Sequence, residues 1–332
     1  MQFIIVSLLI STILILLLRK WAYHYNIVDL PGGRKQHELP TPTVGGLAMF
    51  LAVLIALIVG GAFHGIVAIL IGCASMLVVL GVLDDTHGLS VSLRMMIQVF
   101  VASAVIVGAE GKVAHLGTII GLDIPLGFFA VPFSVVAYVG GINAINMIDG
   151  ADGMAGKMAL ITTLGVAVIA YAAEVIWMPL IWALLGALVG FLLLNSRLFV
   201  KRAWVFMGDA GSMWIGLVLG WFMARITLGR ISAEPALVLW LFGIPLIDTL
   251  VVMMRRMKRR QSPFAADRTH IHHILEQTGM SVRRTVLILG LVQLLLVGIG
   301  VFFYFDRTPG YIVFWTFILL MAGYYYKLRK FE

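Results

Sequence analysis

The feature that most constrains this chain is a succession of apolar stretches, each about 20 residues long, that recurs from one end to the other. The composition is 61% hydrophobic with a mean hydropathy of +1.03, well above that of a water-soluble domain. Only helices and closed barrels satisfy their backbone groups inside lipid. The sequence therefore predicts an all-α, polytopic integral membrane protein. About eleven transmembrane helices are expected, with approximate limits of 2–18, 44–61, 65–83, 93–110, 125–143, 155–173, 176–195, 211–229, 235–254, 285–304 and 309–326.

Lys and Arg residues are distributed unevenly between alternate loops. Of the 24, 20 fall on one side of these spans and 4 on the other. Because positive loops stay in the cytoplasm, this asymmetry predicts an outside N-terminus and a cytoplasmic C-terminus. The net charge of +8 then reflects orientation and contact with anionic substrates or membrane lipids, so nucleic acid is not an expected partner. A single cysteine excludes a disulfide framework.

The chain is predicted to form a single domain, 1–332, without a soluble domain. Its longest polar stretch is a cytoplasmic loop at 255–284 that begins with a basic run from Arg255 to Arg260. We interpret that run as a topology anchor that contacts lipid headgroups.

Acidic residues gather on the predicted cytoplasmic side, where charges close to the membrane tend to mark function. The first group is Asp84-Asp85 in GVLDDTHGLS, at the end of the third predicted helix, with Arg94 at the start of the fourth. Adjacent carboxylates repel and together favour a divalent cation or a shared proton. The alternative is an ordinary solvated loop.

A second group lies in NAINMIDGADG, where Asn143, Asn146, Asp149 and Asp152 are three residues apart. Steps of three drift around a helix, so the four side chains do not share one face of a regular helix. We therefore expect a helix to end near Asp149. The alternative is helix capping alone.

The third group is VFMGDAGS, where Gly208 and Gly211 flank Asp209. We expect Ser212 to begin an apolar helix whose free amide groups and dipole could hold a phosphate. Here too, simple capping is the alternative.

The fourth group is SPFAADRTHIHH, where Arg268, His270, His272 and His273 occupy six positions. Three histidines suggest zinc first, but no cysteine lies nearby, and the carboxylates elsewhere are hard oxygen ligands that suit magnesium. An equally good interpretation is that the arginine and histidine side chains donate hydrogen bonds to phosphate oxygens.

In this order, and with the N-terminal loop VDLPGGRKQHELPTPTVGG, the four groups resemble the polyprenyl-phosphate N-acetylhexosamine-1-phosphate transferase family over nearly the whole chain. The last motif is more similar to the bacterial undecaprenyl-phosphate N-acetylglucosamine-1-phosphate transferases than to the muramoyl-pentapeptide branch. The resemblance implies that undecaprenyl phosphate attacks the sugar-bearing phosphorus of UDP-N-acetylglucosamine and releases UMP. It also implies a site on the cytoplasmic face of a bacterial inner membrane.

The same resemblance assigns roles to residues. It implies that Asp209, with Asn146, binds Mg²⁺, with Mn²⁺ as a substitute. Phe206 and Asp152 would lie near the uracil, and Lys35 and His37 at the mouth of the site. The catalytic candidates are Asp84, Asp85, Asp149 and Asp152, and the substrate-binding candidates are Lys35, Arg94, Asn143, Asn146, Phe206, Arg268, His270, His272 and His273. Whether an Asp acts as base, nucleophile or through the metal is open.

Two alternatives accompany this interpretation. The same chemistry with another UDP-N-acetyl sugar, such as a galactosamine, fucosamine or quinovosamine derivative, differs by one or two hydroxyl contacts. A transporter would spread its acids through the membrane thickness, whereas these gather at one face. The sequence leaves open which polymer is primed, O-antigen among them, and whether the protein is a homo-oligomer.

Overall fold

The computed structural model describes residues 1–25, 27–30, 39–229, 231–262 and 269–328. These residues are mostly helical, and the only strands among them are β1 (Val28–Asp29) and β2 (Thr41–Pro42), which pair antiparallel. This short pair is a minor departure from the predicted all-α class. The helices are α1 (Gln2–His24), α2 (Gly45–Val59), α3 (Gly65–His87), α4 (Val91–Gly108), α5 (Ala130–Ile148), α6 (Met154–Tyr171), α7 (Met178–Asn195), α8 (Gly208–Ile226), α9 (Leu237–Leu241), α10 (Gly243–Lys258), α11 (Ile271–Gln277), α12 (Val282–Phe305) and α13 (Gly310–Leu328).

Within the described ranges, eight helices are long and apolar enough to cross a membrane, and each coincides with a predicted span. They are α1, α3, α4, α5 with its preceding 3₁₀ turn, α6, α7, α12 and α13. The polytopic membrane architecture is therefore confirmed. The count of eleven and the orientation stay predictions. Of the three other predicted spans, 44–61 corresponds to α2, which has only 15 residues and a length of roughly 22 Å.

The predicted single helix at 235–254 is wrong, because the chain breaks at Phe242 between α9 and α10. Pro245 lacks the N–H that would bond to the carbonyl of Leu241, four residues earlier. The side chain of Gln293 on α12 compensates for the break. Its amide nitrogen donates to the Leu241 carbonyl over 2.9 Å, and its amide oxygen accepts from the Ile244 N–H over 2.8 Å. The freed backbone groups are thus satisfied inside the bundle.

Helix α8 is the central helix of the bundle, with nearly every side chain buried. Its first turn approaches two other helices closely through small residues. A Cβ on Gly46 of α2 would lie 2.1 Å from Cα of Gly211, and one on Gly81 of α3 would lie 2.2 Å from Cα of Ala210. Small residues at such crossings let backbones touch. This packing brings the start of α8 beside the end of α3.

The basic run at the end of α10 is partly buried. Arg255 and Arg256 are helical and only 4% and 3% exposed, whereas Lys258, Arg259 and Arg260 are exposed. Only the last three are therefore placed to contact lipid headgroups, so the topology anchor that the sequence predicts is limited to these three residues.

Candidate active site

The start of α8 carries the third motif and is capped by a residue of the first. The backbone N–H of Asp209 donates to both carboxylate oxygens of Asp85, over 3.2 and 3.1 Å. A negative charge at this end of a helix is stabilised by the free amides and the helix dipole. Gly208 has a φ of +71°, and a Cβ there would lie 2.5 Å from Asp85 Oδ2, which explains the glycine. Helix α8 therefore begins at Gly208, not at Ser212 as expected.

The side chain of Asp209 does not cap its own helix. Its Oδ1 accepts a hydrogen bond of 2.7 Å from Nδ2 of Asn146, which also donates to Ser212 Oγ over 2.9 Å. Its Oδ2 lies 3.5 Å from a guanidinium nitrogen of Arg94. The capping alternative for Asp209 thus finds no support, because the carboxylate points to other helices.

Arg94, on α4, joins the first and third motifs. The nitrogen that approaches Asp209 also forms a 2.6 Å ion pair with Asp84 Oδ2. Asp84 is 9% exposed, and its other oxygen accepts from the N–H of Leu89 just beyond α3. The two adjacent acids therefore have different surroundings, since Asp84 is buried and ion-paired while Asp85 is exposed and caps α8.

The second motif contributes Asp149 and Asp152 from the turn after α5. That helix ends at Ile148, which confirms the expected end near Asp149. Burial, with added repulsion from Asp209 and Asp152, raises the pKa of Asp149 from its ordinary range to about 7. Asp152 instead pairs with Arg197, whose Nε lies 2.6 Å from its carboxylate. We call Asp84, Asp85, Asp149 and Asp209 the carboxylate cluster.

The histidine motif, His270, His272 and His273, lies at the same end of the bundle. His270 Nδ1 is 2.7 Å from a carboxylate oxygen of Asp248 on α10. His272 is 1% exposed and packs against the second motif, since a Cβ on Gly150 would lie 2.4 Å from its Nε2. Burial, and then the nearby His273, lowers the pKa of His272 to about 3, so this imidazole is neutral near pH 7.

The donor set bears on which metal could bind. Among the residues that the structure describes, no three His, Cys, Asp or Glu side chains converge as ligands, which is what a zinc site requires. Magnesium needs fewer protein ligands, because it commonly binds one or two carboxylates together with substrate phosphates. Asp209 and its neighbours in the carboxylate cluster fit that pattern.

The remaining candidates lie in different places. The amide nitrogen of Asn143 donates to Gln98 on α4 over 2.7 Å. Phe206 continues alongside β2, with its N–H 2.7 Å from the Pro42 carbonyl and its ring partly exposed. Lys35, His37 and Arg268 lie outside the described residues, so their predicted roles stay predictions.

Three residues of the site were not predicted from the sequence. Arg197 and Gln98 pair with predicted residues, but nothing in their local sequence sets them apart from surface or core residues. Asp248 did carry a signal, because it is a lone acid inside the predicted span 235–254. Such residues in apolar helices usually face polar partners.

A multi-span helix bundle that gathers carboxylates, an arginine and histidines at one end has the groups that a membrane-embedded phosphoryl transferase needs to hold a metal ion and phosphates. Comparison with known proteins identifies the group. The model of glycosyl transferase family 4 matches residues 67–227. The chain belongs to this family.

Curated relatives match most of the chain. The undecaprenyl-phosphate alpha-N-acetylglucosaminyl 1-phosphate transferases of Salmonella typhi and Escherichia coli K12 are each 31% identical, over 97% of this chain and 89% of their own length. A probable undecaprenyl-phosphate N-acetylglucosaminyl 1-phosphate transferase of Bacillus subtilis is 34% identical, over 87% of this chain and 80% of its own.

Proposed function

We propose that this protein transfers N-acetylglucosamine-1-phosphate from UDP-N-acetylglucosamine to undecaprenyl phosphate and releases UMP. The observation that carries the proposal is the meeting of the carboxylate cluster around Asp209, which lies beside Arg94 and accepts a hydrogen bond from Asn146, while Asp84 pairs with the same arginine and Asp85 caps the helix that carries Asp209. The names of the relatives supply the substrates. The lipid-linked sugar diphosphate would prime a cell-surface polysaccharide.

In this proposal Asp209 and Asn146 hold Mg²⁺, with Mn²⁺ as a substitute. The amide nitrogen of Asn146 already donates to Asp209 and Ser212, which leaves its amide oxygen as the atom to face a cation. The bound ion would neutralise charge on the diphosphate. Asp84 is ion-paired to Arg94 and so keeps this guanidinium beside Asp209.

The proton of the lipid phosphate would pass to Asp149. No donor among the described residues bonds to this carboxylate, and its pKa of about 7 suits a base at neutral pH. A lipid phosphate oxygen forms the new bond to the sugar-bearing phosphorus, the bond from that phosphorus to the UMP oxygen breaks, and UMP leaves. Asp152, oriented by Arg197, and Phe206 would contact the uracil, and Arg268 and the histidine motif the phosphates.

We place this site on the cytoplasmic side of a bacterial inner membrane, with eleven crossings in total. The 20-to-4 distribution of Lys and Arg supports the orientation. A cysteine scan in intact cells tests it, in a background where the buried Cys73 is replaced by Ala. A cysteine at the exposed Gln277 should be protected from an impermeant thiol reagent, and one at Asp123 should react. The opposite labelling would invert the topology.

The function itself is tested with purified protein, undecaprenyl phosphate, Mg²⁺ and a panel of UDP-sugars, with both products identified by mass. We expect UMP and undecaprenyl diphosphate N-acetylglucosamine. Release of UDP would mean transfer of the sugar without its phosphate and would refute the proposal. Turnover only with a different UDP-N-acetyl sugar would refute the assignment of the sugar donor but would leave the proposed type of reaction intact.

A further inference from the structure

Asp248 is a buried acid that the proposed reaction does not use. It lies in the middle of α10 and is 2% exposed. Its carboxylate accepts three hydrogen bonds from two other parts of the chain: 2.7 Å from His270 Nδ1, 3.0 Å from the Ile271 N–H and 2.9 Å from the Tyr324 hydroxyl on α13. Burying a carboxylate costs much free energy unless hydrogen-bond donors such as these surround it.

Two of these bonds fix the start of α11, which carries the histidine motif. Ile271 is the first residue of that helix, and His270 precedes it in an extended conformation. Because an ionised carboxylate only accepts hydrogen bonds, Nδ1 of His270 must carry the proton in this pair. Asp248 thus sets both the ring orientation of His270 and its tautomer, and Nε2 is left as the second polar atom of the ring.

The contacts continue from His270 to the second motif. The rings of His270 and His272 are nearly parallel, at 17°, with centroids 6.0 Å apart. His272 in turn lies against Gly150, the residue after Asp149. A displacement of His270 would therefore reach the edge of the carboxylate cluster through one intervening ring.

We propose that Asp248, supported by Tyr324, is a positioning residue that holds the histidine motif against the second motif and so couples α13 to the active site. The effect on turnover rests on the proposed function, in which these histidines contact substrate phosphates. Asp248 itself touches no substrate in this scheme. Loss of the partner that orients a metal-binding histidine typically costs about 10- to 100-fold in affinity or activity, and we expect a loss of the same order for these phosphate-binding histidines.

The experiment uses the full-length purified protein and the variants Asp248→Asn and Tyr324→Phe. Tyr325→Phe is the matched control, because the neighbouring Tyr325 contacts Lys258 instead of Asp248. Diethyl pyrocarbonate modifies accessible imidazoles, and mass spectrometry of peptides gives the rate at each histidine. The exposed His64, at the other end of the bundle, serves as the internal reference.

We expect Asp248→Asn to raise the modification rates of His270 and His272 by about tenfold relative to His64, and to raise KM for the UDP-sugar more than it lowers kcat. Tyr324→Phe should produce the same pattern at a smaller size, and Tyr325→Phe should match the wild type. Loss of activity with unchanged histidine protection would overturn the proposal.

If Asp248→Asn does not fold, Tyr324→Phe decides: increased modification of His270 and His272 supports positioning, and wild-type protection with wild-type KM overturns it. The proposed function can fail separately. A wild-type enzyme without transferase activity would refute the function, while the protection of the histidines would still test the role of Asp248.

Discussion

Replacing Asp209 by Asn removes from the centre of the carboxylate cluster a group that carries a negative charge when a cation is bound, and changes little else. The new amide can still accept the hydrogen bond from Asn146, and Arg94 keeps its 2.6 Å ion pair with Asp84. Burial and then the neighbouring acids already disfavour a charge at this position, and Arg94, 3.5 Å away, attracts it only weakly. We therefore expect stability to change by about 1 kcal/mol or less.

Catalysis should respond much more strongly. If the Asp209 carboxylate binds Mg²⁺ at the diphosphate, its loss should remove about 3 kcal/mol or more of transition-state stabilisation. At about 1.4 kcal/mol per tenfold, turnover falls by roughly a hundredfold or more. The assay is UMP release by purified protein over a range of Mg²⁺ concentrations, with the thermal unfolding temperature measured on the same samples.

The matched control is Asp306→Asn, which removes an exposed charge from the loop between α12 and α13 at the opposite end of the bundle. It should leave both turnover and Mg²⁺ dependence unchanged. An Asp209→Asn enzyme with near-normal turnover and an unaltered Mg²⁺ requirement would refute the assignment. The metal site would then have to be sought at Asp84 and Asp85.

Three other changes test the architecture around this centre. Gly150→Ala places a methyl group 2.4 Å from the present position of His272 Nε2, so the rate of transfer should fall by about tenfold or more. The control is Gly140→Ala, whose added methyl group would have no atom of the described residues within 4 Å beyond its own helix backbone, and it should leave the rate unchanged. Gln293→Leu leaves the Ile244 N–H unpaired at the break between α9 and α10, while the Leu241 carbonyl keeps its hydrogen bond from the Thr162 hydroxyl. We expect a loss of about 2 kcal/mol, seen as a lower unfolding temperature, and an unchanged temperature would contradict that account. The raised pKa of Asp149 is about 7, so activity should fall as the pH drops below that value. Because a cation favours the ionised carboxylate, the pH at which half of the activity is lost should move lower as the Mg²⁺ concentration increases. A midpoint independent of Mg²⁺ would argue against a metal beside Asp149.

Apolar length and local residue pattern were sufficient for much of the fold. Eight predicted spans coincide with long helices, because a helix that faces lipid must be apolar along its whole length. The end of α5 at Ile148 followed from the three-residue spacing of polar groups. The break at Phe242 did not follow. Pro245 was visible in the sequence, but a proline is tolerated in a transmembrane helix when a neighbour satisfies the freed groups, and here that neighbour is Gln293, 49 residues away.

The types of residue at the candidate site could also be predicted, but not their partners. Asp85 caps a helix through the N–H of Asp209, 124 residues later in the chain, and Arg197 lies 45 residues from Asp152. No local pattern encodes such pairs, because they depend on which helices pack together.

The sequence by itself determined that this chain lies in a membrane and that the acids, amides and histidines of its four motifs lie at one end of its helices, since hydrophobicity and charge act locally along the chain. Only the tertiary structure decided what each acid does. Close packing of α8 against α3 made Asp85 a cap, the turn from α3 to α4 made Asp84 the partner of Arg94, and Asp149 was left without a hydrogen-bond donor among the described residues. The physical reason is that the charge state and availability of a carboxylate depend on burial and on neighbours in space, and both are set by the packing of helices that are far apart in sequence.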